Sequence, residues 1–392
     1  MRQVMAYDKL ARERPRLLVL ESQYWLDSAC ANAARTMAWD IRTVPVAAEG
    51  VLPRASVAEL LQTLIDFRPD FLLSINLSGM DVGGLFARLF EDLRMPYVTW
   101  FIDDPRTIIM DRTSYASSHT IAVTWEKSYV QYLSDVGFPV VRHLPLAVDA
   151  TVFNAETPDA WDFGPAFVGN SMIEFAEQEW AWLDRRPELA AAIREALDAQ
   201  RVTRHTFAKG LRAVLDPDLL GRLDEDERRH AELLLFVEGT RRVRHDLFRV
   251  LEPEGVQIHG DEGWQRAFPN AQGPVNYTHA LPGFYRACAI NLNTTSIQMA
   301  SAVNQRVFDC PAAGGFLLTD HQAGLANLFD VEHEVACYGS PEKALEMLRW
   351  FRTRPAARRD IATRARTRVL GEHTYRHRLE TIADLVKQHF CA

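Results

Sequence analysis

Short runs of Val, Ile, Leu and Phe alternate along the chain with stretches whose apolar residues recur every three to four positions. Continuous apolar runs suit strands buried on both faces, and the 3.6-residue spacing suits helices covering them. On this basis strands are predicted at 16–21 (RLLVLE), 41–46, 71–75, 97–102, 120–124 and 140–144, with helices at 28–40, 57–67, 83–93 and 127–136. Strictly alternating strand and helix is the signature of a doubly wound α/β domain, here spanning 1–150.

The rhythm then breaks. Residues 145–164 (PLAVDATVFNAETPDAWDFG) are rich in Pro and Asp and lack periodicity, so 151–165 reads as a linker. Strand character returns at 166–169 (AFVG), gives way to helical patterning alone over about 172–250, and resumes at 256–259. A second α/β domain is thus expected over 166–373, carrying a helical insertion at 172–250. Within it, 291–320 (NLNTTSIQMASAVNQRVFDCPAAGGFLLTD) reads as strand, turn, helix, Gly-Gly and strand. A helix at 282–288, a strand at 334–338 and a helix at 341–352 fill out the domain. A last helix from about 374, within a closing segment 374–392, is expected to pack back toward the first domain.

Composition narrows the class without naming it. The net charge of −8 argues against a nucleic-acid binder relying on phosphate neutralisation. Five cysteines (Cys30, Cys288, Cys310, Cys337 and Cys391) are scattered and form no C-x-x-C pair, which suits reduced thiols in the cytoplasm. The first apolar run is too short and too late for a signal peptide, and no window approaches the length of a transmembrane helix.

Candidate chemistry lies at strand ends, where parallel sheets present ligands to helix N-termini. Neither G-x-G-x-x-G nor G-x-x-x-x-G-K-[ST] occurs, which disfavours dinucleotide oxidoreductases and P-loop enzymes. Asp216-Pro217-Asp218 mimics a diphosphate-metal D-x-D element, but its helical setting favours an N-cap. His373 and His377 are four apart without the Glu of a zinc helix, so no metal site is expected. Gly169, Asn170 and Ser171 end one strand where backbone can approach a phosphate. Asp103 and Asp104 follow another, placed to orient an acceptor, bind sugar hydroxyls or cap the next helix; Asn76 and Ser78 end its neighbour. Asn293, Thr294, Thr295, Gln298, Asn304, Arg306 and Asp309 form a polar cluster between buried strands, to be paired internally or by a ligand. Trp264 is placed to stack on a base or to fill the core.

The segment 305–320 (QRVFDCPAAGGFLLTD), the closing 372–378 (EHTYRHR), Trp100 to Pro105 and the run from Thr124 to Tyr129 resemble the CgeB-like family of glycosyltransferases. That resemblance implies a GT-B architecture, with two Rossmann-like domains facing a cleft, the acceptor held by the first and a nucleotide sugar by the second. More distantly the chain is similar to retaining glycogen-synthase-type enzymes, whose E-x7-E pattern places Asp309 at the ribose and Ser301 where the first glutamate would stand. The resemblance implies a transferase using a nucleoside-diphosphate sugar, retaining, with neither cofactor nor metal. Asp103, Asp104 and Arg306 are its catalytic candidates. Gly169, Asn170, Ser171, Trp264, Asn293, Thr294, Thr295, Arg306 and Asp309 are its donor contacts, and Asn76, Ser78 and Asp103 its acceptor contacts. Arg241, Arg242 and Arg244 are further unranked cations. A nucleotide-sugar epimerase and a non-catalytic nucleotide-binding scaffold are the alternatives.

Overall fold

The computed structural model describes residues 2–22, 24–47, 54–110, 112–199 and 202–390. Cys391 and the end of the expected closing segment lie outside these residues. The chain divides into two compact units, one built from the chain up to Thr151 together with the stretch from Glu372 onward, the other from Val152 to Gly371.

The first unit holds a six-stranded parallel sheet: β1 (Arg16–Glu21), β2 (Asp40–Pro45), β3 (Phe71–Ile75), β4 (Tyr97–Phe101), β5 (Thr120–Thr124) and β6 (Val140–His143), in the order β2-β1-β3-β4-β5-β6. Every residue of β3, β4 and β5 is buried, as continuous apolar runs require when helices cover both faces. One face packs Leu18, Leu20, Leu72, Tyr97, Phe101 and Ala122 against Leu60, Leu64, Phe86, Phe90 and Leu133 of the flanking helices. On Trp100 lies the last helix, Tyr375–Phe390, whose buried Tyr375 meets the rings of Trp25 and Trp100 at 6.1 and 6.0 Å. The Val148 N–H donates to the His373 carbonyl and the Tyr375 N–H to the Val148 carbonyl, and Arg378 donates to the carbonyls of Pro145 and Leu146.

The second unit holds a five-stranded parallel sheet: β7 (Ala166–Val168), β8 (Gln257–His259), β9 (Asn291–Leu292), β10 (Leu317–Asp320) and β11 (Ala336–Tyr338), in the order β11-β10-β9-β7-β8. Both sheets therefore reverse direction of growth at their first strand, between β1 and β3 and between β7 and β9. Ligands of open α/β sheets bind outside the carboxyl ends of strands at such reversals.

Between β7 and β8 the described residues form helices and no strand, chiefly Ile173–Leu183, Pro187–Asp198 and Glu225–Leu251. Asp216 caps Pro217–Gly221 through the Asp218 N–H, so the D-x-D mimic is a helix start. The longest helix absent from the sequence expectations is Pro355–Glu372. Its buried positions are Arg358, Ala362, Ala365 and Val369, a face too small and polar to give an apolar stripe. Among the described residues no helix is long and apolar enough to cross a membrane.

Candidate functional site

The loop after β7 and the loop after β9 leave neighbouring strands side by side, so Gly169-Asn170 and Asn293-Thr294-Thr295 share one sheet edge. Arg306, at the start of the helix Arg306–Ala312, reaches back to this edge. Its guanidinium lies 5.4 Å over the Phe167 ring, and a Cβ at Gly169 would stand 2.4 Å from its Nη2. Glycine at 169 is what lets the backbone and the cation approach so closely.

Arg244, from the long helix Glu225–Leu251, enters from the other side. It is only 4% exposed, its Nη1 donates to the Asn170 carbonyl at 2.5 Å, and its Nε is buried without a hydrogen-bond partner. Burial first, and then the nearby Arg306 charge, draw its pKa down to about 9. Two cations held close together with little water attract an anion strongly. The two arginines just before Arg244 are spent elsewhere: Arg241 and Arg242 both pair with buried Glu238, and Arg242 also reaches Asp198. The sequence left these three equal, whereas the fold singles out Arg244.

A third guanidinium was not anticipated. Arg204, in the short helix Arg204–Phe207 of the insertion, donates from Nη2 to the Thr295 carbonyl at 2.7 Å and to Asp320 Oδ2 at 2.5 Å. Nothing local marks it, because its partners lie 91 and 116 residues away.

Much of the polar cluster turns inward. Asn293 and Asn304 exchange side-chain hydrogen bonds at 3.0 and 2.9 Å, and Asn293 also donates to Thr319 Oγ1. Asp320 Oδ1 accepts from both the N–H and the hydroxyl of Thr295. Thr294 and Thr295 are each 1% exposed, so these side chains build the loop that presents its backbone. Asp309 is equally buried and accepts from the Tyr277 hydroxyl and the Gln305 amide, both at 2.7 Å. Ser171 faces inward too, accepting from the Ile173 N–H, while its own N–H donates to Asp261.

Trp264 corrects the stacking expectation. It is fully buried among Phe167, His245, Phe248 and Phe268, and its indole N–H donates to the Gly169 carbonyl at 2.6 Å. No ring face remains for a base, and its role is to hold the Gly169 loop in place.

In the first unit, Asn76 and Leu77 follow β3 in left-handed conformation, with φ of 50° and 60°. Two such non-glycine residues in succession are costly, at about 1–2 kcal/mol each, and are held by specific bonds. Asn76 accepts from the Ile102 N–H at 2.9 Å and donates to Asp103 at 2.8 Å, while the Leu77 N–H donates to Thr99. Asn76, Asp103 and the buried Ser78 thus belong to one carboxyl edge, that of β3 and β4. Asp104 is corrected: it caps the helix Pro105–Ile109 and ion-pairs with Arg106 at 2.5 Å, leaving no carboxylate to act on substrate. His373 accepts from Arg378 and His377 contacts Thr374, so neither histidine is set for a metal. A concavity of about 850 Å³ lined by Tyr7, Lys9, Glu91, Arg94 and Phe390 lies by the amino ends of β1 and β4, away from this edge.

Beyond β1, Asp27 is 1% exposed. Its Oδ2 accepts from the Ser22 N–H and hydroxyl, its Oδ1 is buried without a partner, and burial raises its pKa from 3.8 to about 6. A carboxyl whose pKa is higher folded than unfolded favours folding below pH 4, and the advantage is lost as pH rises through 6. The penalty at neutral pH is roughly 3 kcal/mol at most. The margin by which Asp27→Asn melts above the wild type should therefore widen from pH 4 through about pH 6 and then hold level to pH 7.5. A melting difference that stays flat over this range would show that Asp27 carries no such burden.

Residues 240–384 match a family model described as glycosyl transferase-like. Among solved structures, sucrose-phosphate synthase from Thermosynechococcus elongatus aligns with a TM-score of 0.52 and 12% identity, over 96% of this chain and 99% of that one. HepE of Anabaena, in complex with UDP and glucose, gives 0.52 and 11%, over 96% and 100%. BGT of phage T4, in complex with its UDP-glucose substrate, gives 0.51 and 8%, over 97% and 100%. A search among curated proteins returns no match. At these identities the solved structures establish the fold, and it is GT-B. The family match adds that residues 240–384, most of the second unit's sheet and its neighbouring helices, are glycosyl transferase-like in sequence as well.

Proposed function

We propose that the protein transfers a sugar from a nucleoside-diphosphate sugar to an acceptor hydroxyl, in the manner of the CgeB-like enzymes it resembles. The convergence of Arg244 and Arg306 on the carboxyl ends of β7 and β9 carries this reading. Two guanidiniums match the charge of a diphosphate and stabilise it as a leaving group, so no metal or other cofactor is required of this mechanism. The anomeric C–O bond to phosphate breaks, a C–O bond to the acceptor forms, and the acceptor's proton passes to the departing phosphate oxygen, with retention at the anomeric carbon. Asn76 and Asp103 are assigned to the acceptor. The free thiols Cys30, Cys288, Cys310 and Cys337 fit a cytoplasmic location.

UDP-glucose is the first donor to test, because HepE and BGT are seen with UDP and with UDP-glucose. UDP, GDP and dTDP, with their glucose conjugates, should be screened by thermal shift and by sugar release. The right nucleotide at a hundred times its Kd should stabilise the protein by about 2.7 kcal/mol, a shift of several degrees. No response to any donor would defeat the reading. Binding without sugar release or transfer would favour the scaffold alternative, which Ser301 in place of a glutamate supports.

A further inference from the structure

The helical insertion touches the donor edge in a way that the family match does not cover, since that match begins at residue 240. The insertion has its own apolar core, from Ala176, Leu183, Leu189, Ile193, Phe207 and Leu234, and into it plugs Ile297 from the loop after β9. Gly239 makes room for this plug: a Cβ there would stand 2.7 Å from Ile297 Cδ1. The Ile297 N–H donates to Thr240 Oγ1 at 3.2 Å. A few residues upstream, Arg204 grips the same loop by the Thr295 carbonyl and by Asp320, whose other oxygen holds the Thr295 N–H and hydroxyl. Both peptide groups of Thr295 are thus fixed, one by Arg204 and one by the carboxylate that Arg204 neutralises.

We infer that Arg204 is a positioning residue for the donor loop, and that through it the insertion is a working part of the nucleotide-sugar site. The inference rests on the proposed function for its consequence in binding, while its structural half stands apart. A buried Asp320, 6% exposed, would otherwise place an uncompensated negative charge beside a site meant for an anion. Arg204 cancels that charge and lets the carboxylate serve as a fixed acceptor for Thr295. A side chain already used in this way acts on the ligand through the loop.

The decisive comparison is Arg204→Ala against Asp320→Asn, each measured for UDP, GDP and dTDP binding by calorimetry and, without ligand, for hydrogen exchange over 293–298. If Arg204 acts through the loop, Arg204→Ala should speed exchange across 293–298 at least tenfold and weaken nucleotide binding about tenfold. Millimolar guanidinium should restore both in that variant and leave the wild type unaffected. Asp320→Asn should weaken binding as well, although simple electrostatics predicts that deleting a negative charge strengthens it. Tighter binding in Asp320→Asn, or unchanged exchange in Arg204→Ala, overturns the inference. Faster exchange in a protein whose wild type binds none of the nucleotides upholds Arg204's hold on the loop and defeats the proposed function instead. Should Arg204→Ala fail to fold, Arg204→Lys, which keeps charge but loses the planar fork, gives the same tests with smaller changes.

Discussion

Arg306→Ala should weaken nucleoside-diphosphate binding on the order of 100-fold while leaving nucleoside binding within a few-fold of wild type. The guanidinium sits where the strand order reverses, against Gly169 and over Phe167, beside the desolvated Arg244. A hydrogen bond to a charged group contributes about 1.5–3 kcal/mol, and a site sheltered from water lies at the upper end. Folding should suffer little, because removing Arg306 also relieves the repulsion that depresses the pKa of Arg244. Calorimetric titration with UDP and uridine, or the corresponding pair for another base, separates the outcomes. Equal losses for nucleotide and nucleoside would make Arg306 a structural residue. Arg306→Lys should fall between, keeping the charge without the fork.

The largest effect on stability is expected at Gly260, which follows β8. A Cβ there would lie 2.2 Å from the Gly169 carbonyl oxygen and 2.7 Å from Trp264 Cδ1. Neither neighbour can step aside. The carbonyl accepts the Trp264 indole N–H, and the Gly169 N–H donates to the His259 carbonyl, which ties β7 to β8. Gly260→Ala must part the two strands, at a cost of about 3 kcal/mol. For a unit of this size each kcal/mol lowers Tm by about 2–4 °C, so a drop of roughly 6–12 °C is expected, with loss of nucleotide binding as the Gly169 loop shifts. Gly283→Ala is the control, since nothing lies within 4 Å of its Cβ and it sits in the helix Leu281–Ala287, where alanine is preferred. An unaltered Tm for Gly260→Ala would mean that the loop is less tightly fixed than its hydrogen bonds imply.

The strands were legible because parallel sheets covered on both sides demand unbroken apolar runs, and β3, β4 and β5 have them. Strand ends were legible for the same reason, which is how Gly169 and Asn170 in one loop and Thr294 and Thr295 in another were singled out; that the two loops share an edge follows only from the pairing of β7 with β9. Trp264 was open between ligand and core because an aromatic residue after a strand has the same spacing in either case; only the packing of Phe248 and Phe268 decides. Asp104 was open for a similar reason, as a carboxylate before Pro105 caps a helix or faces a ligand with equal ease. The helix Pro355–Glu372 was invisible because alanines and an arginine form its inner face. Arg204 could not be read at all, since a cation in an arginine-rich helical stretch gains meaning only from partners far along the chain.

The last helix, Tyr375–Phe390, closes the first unit although the whole second unit precedes it in the chain. During synthesis, Trp25 and Trp100 emerge hundreds of residues before the Tyr375 ring that covers them. The later domain is one uninterrupted stretch and can finish folding first, while the earlier one waits for Tyr375 and its helix with an apolar face uncovered. Refolding from denaturant imposes no such order, so only the nascent chain is obliged to close its second domain before its first.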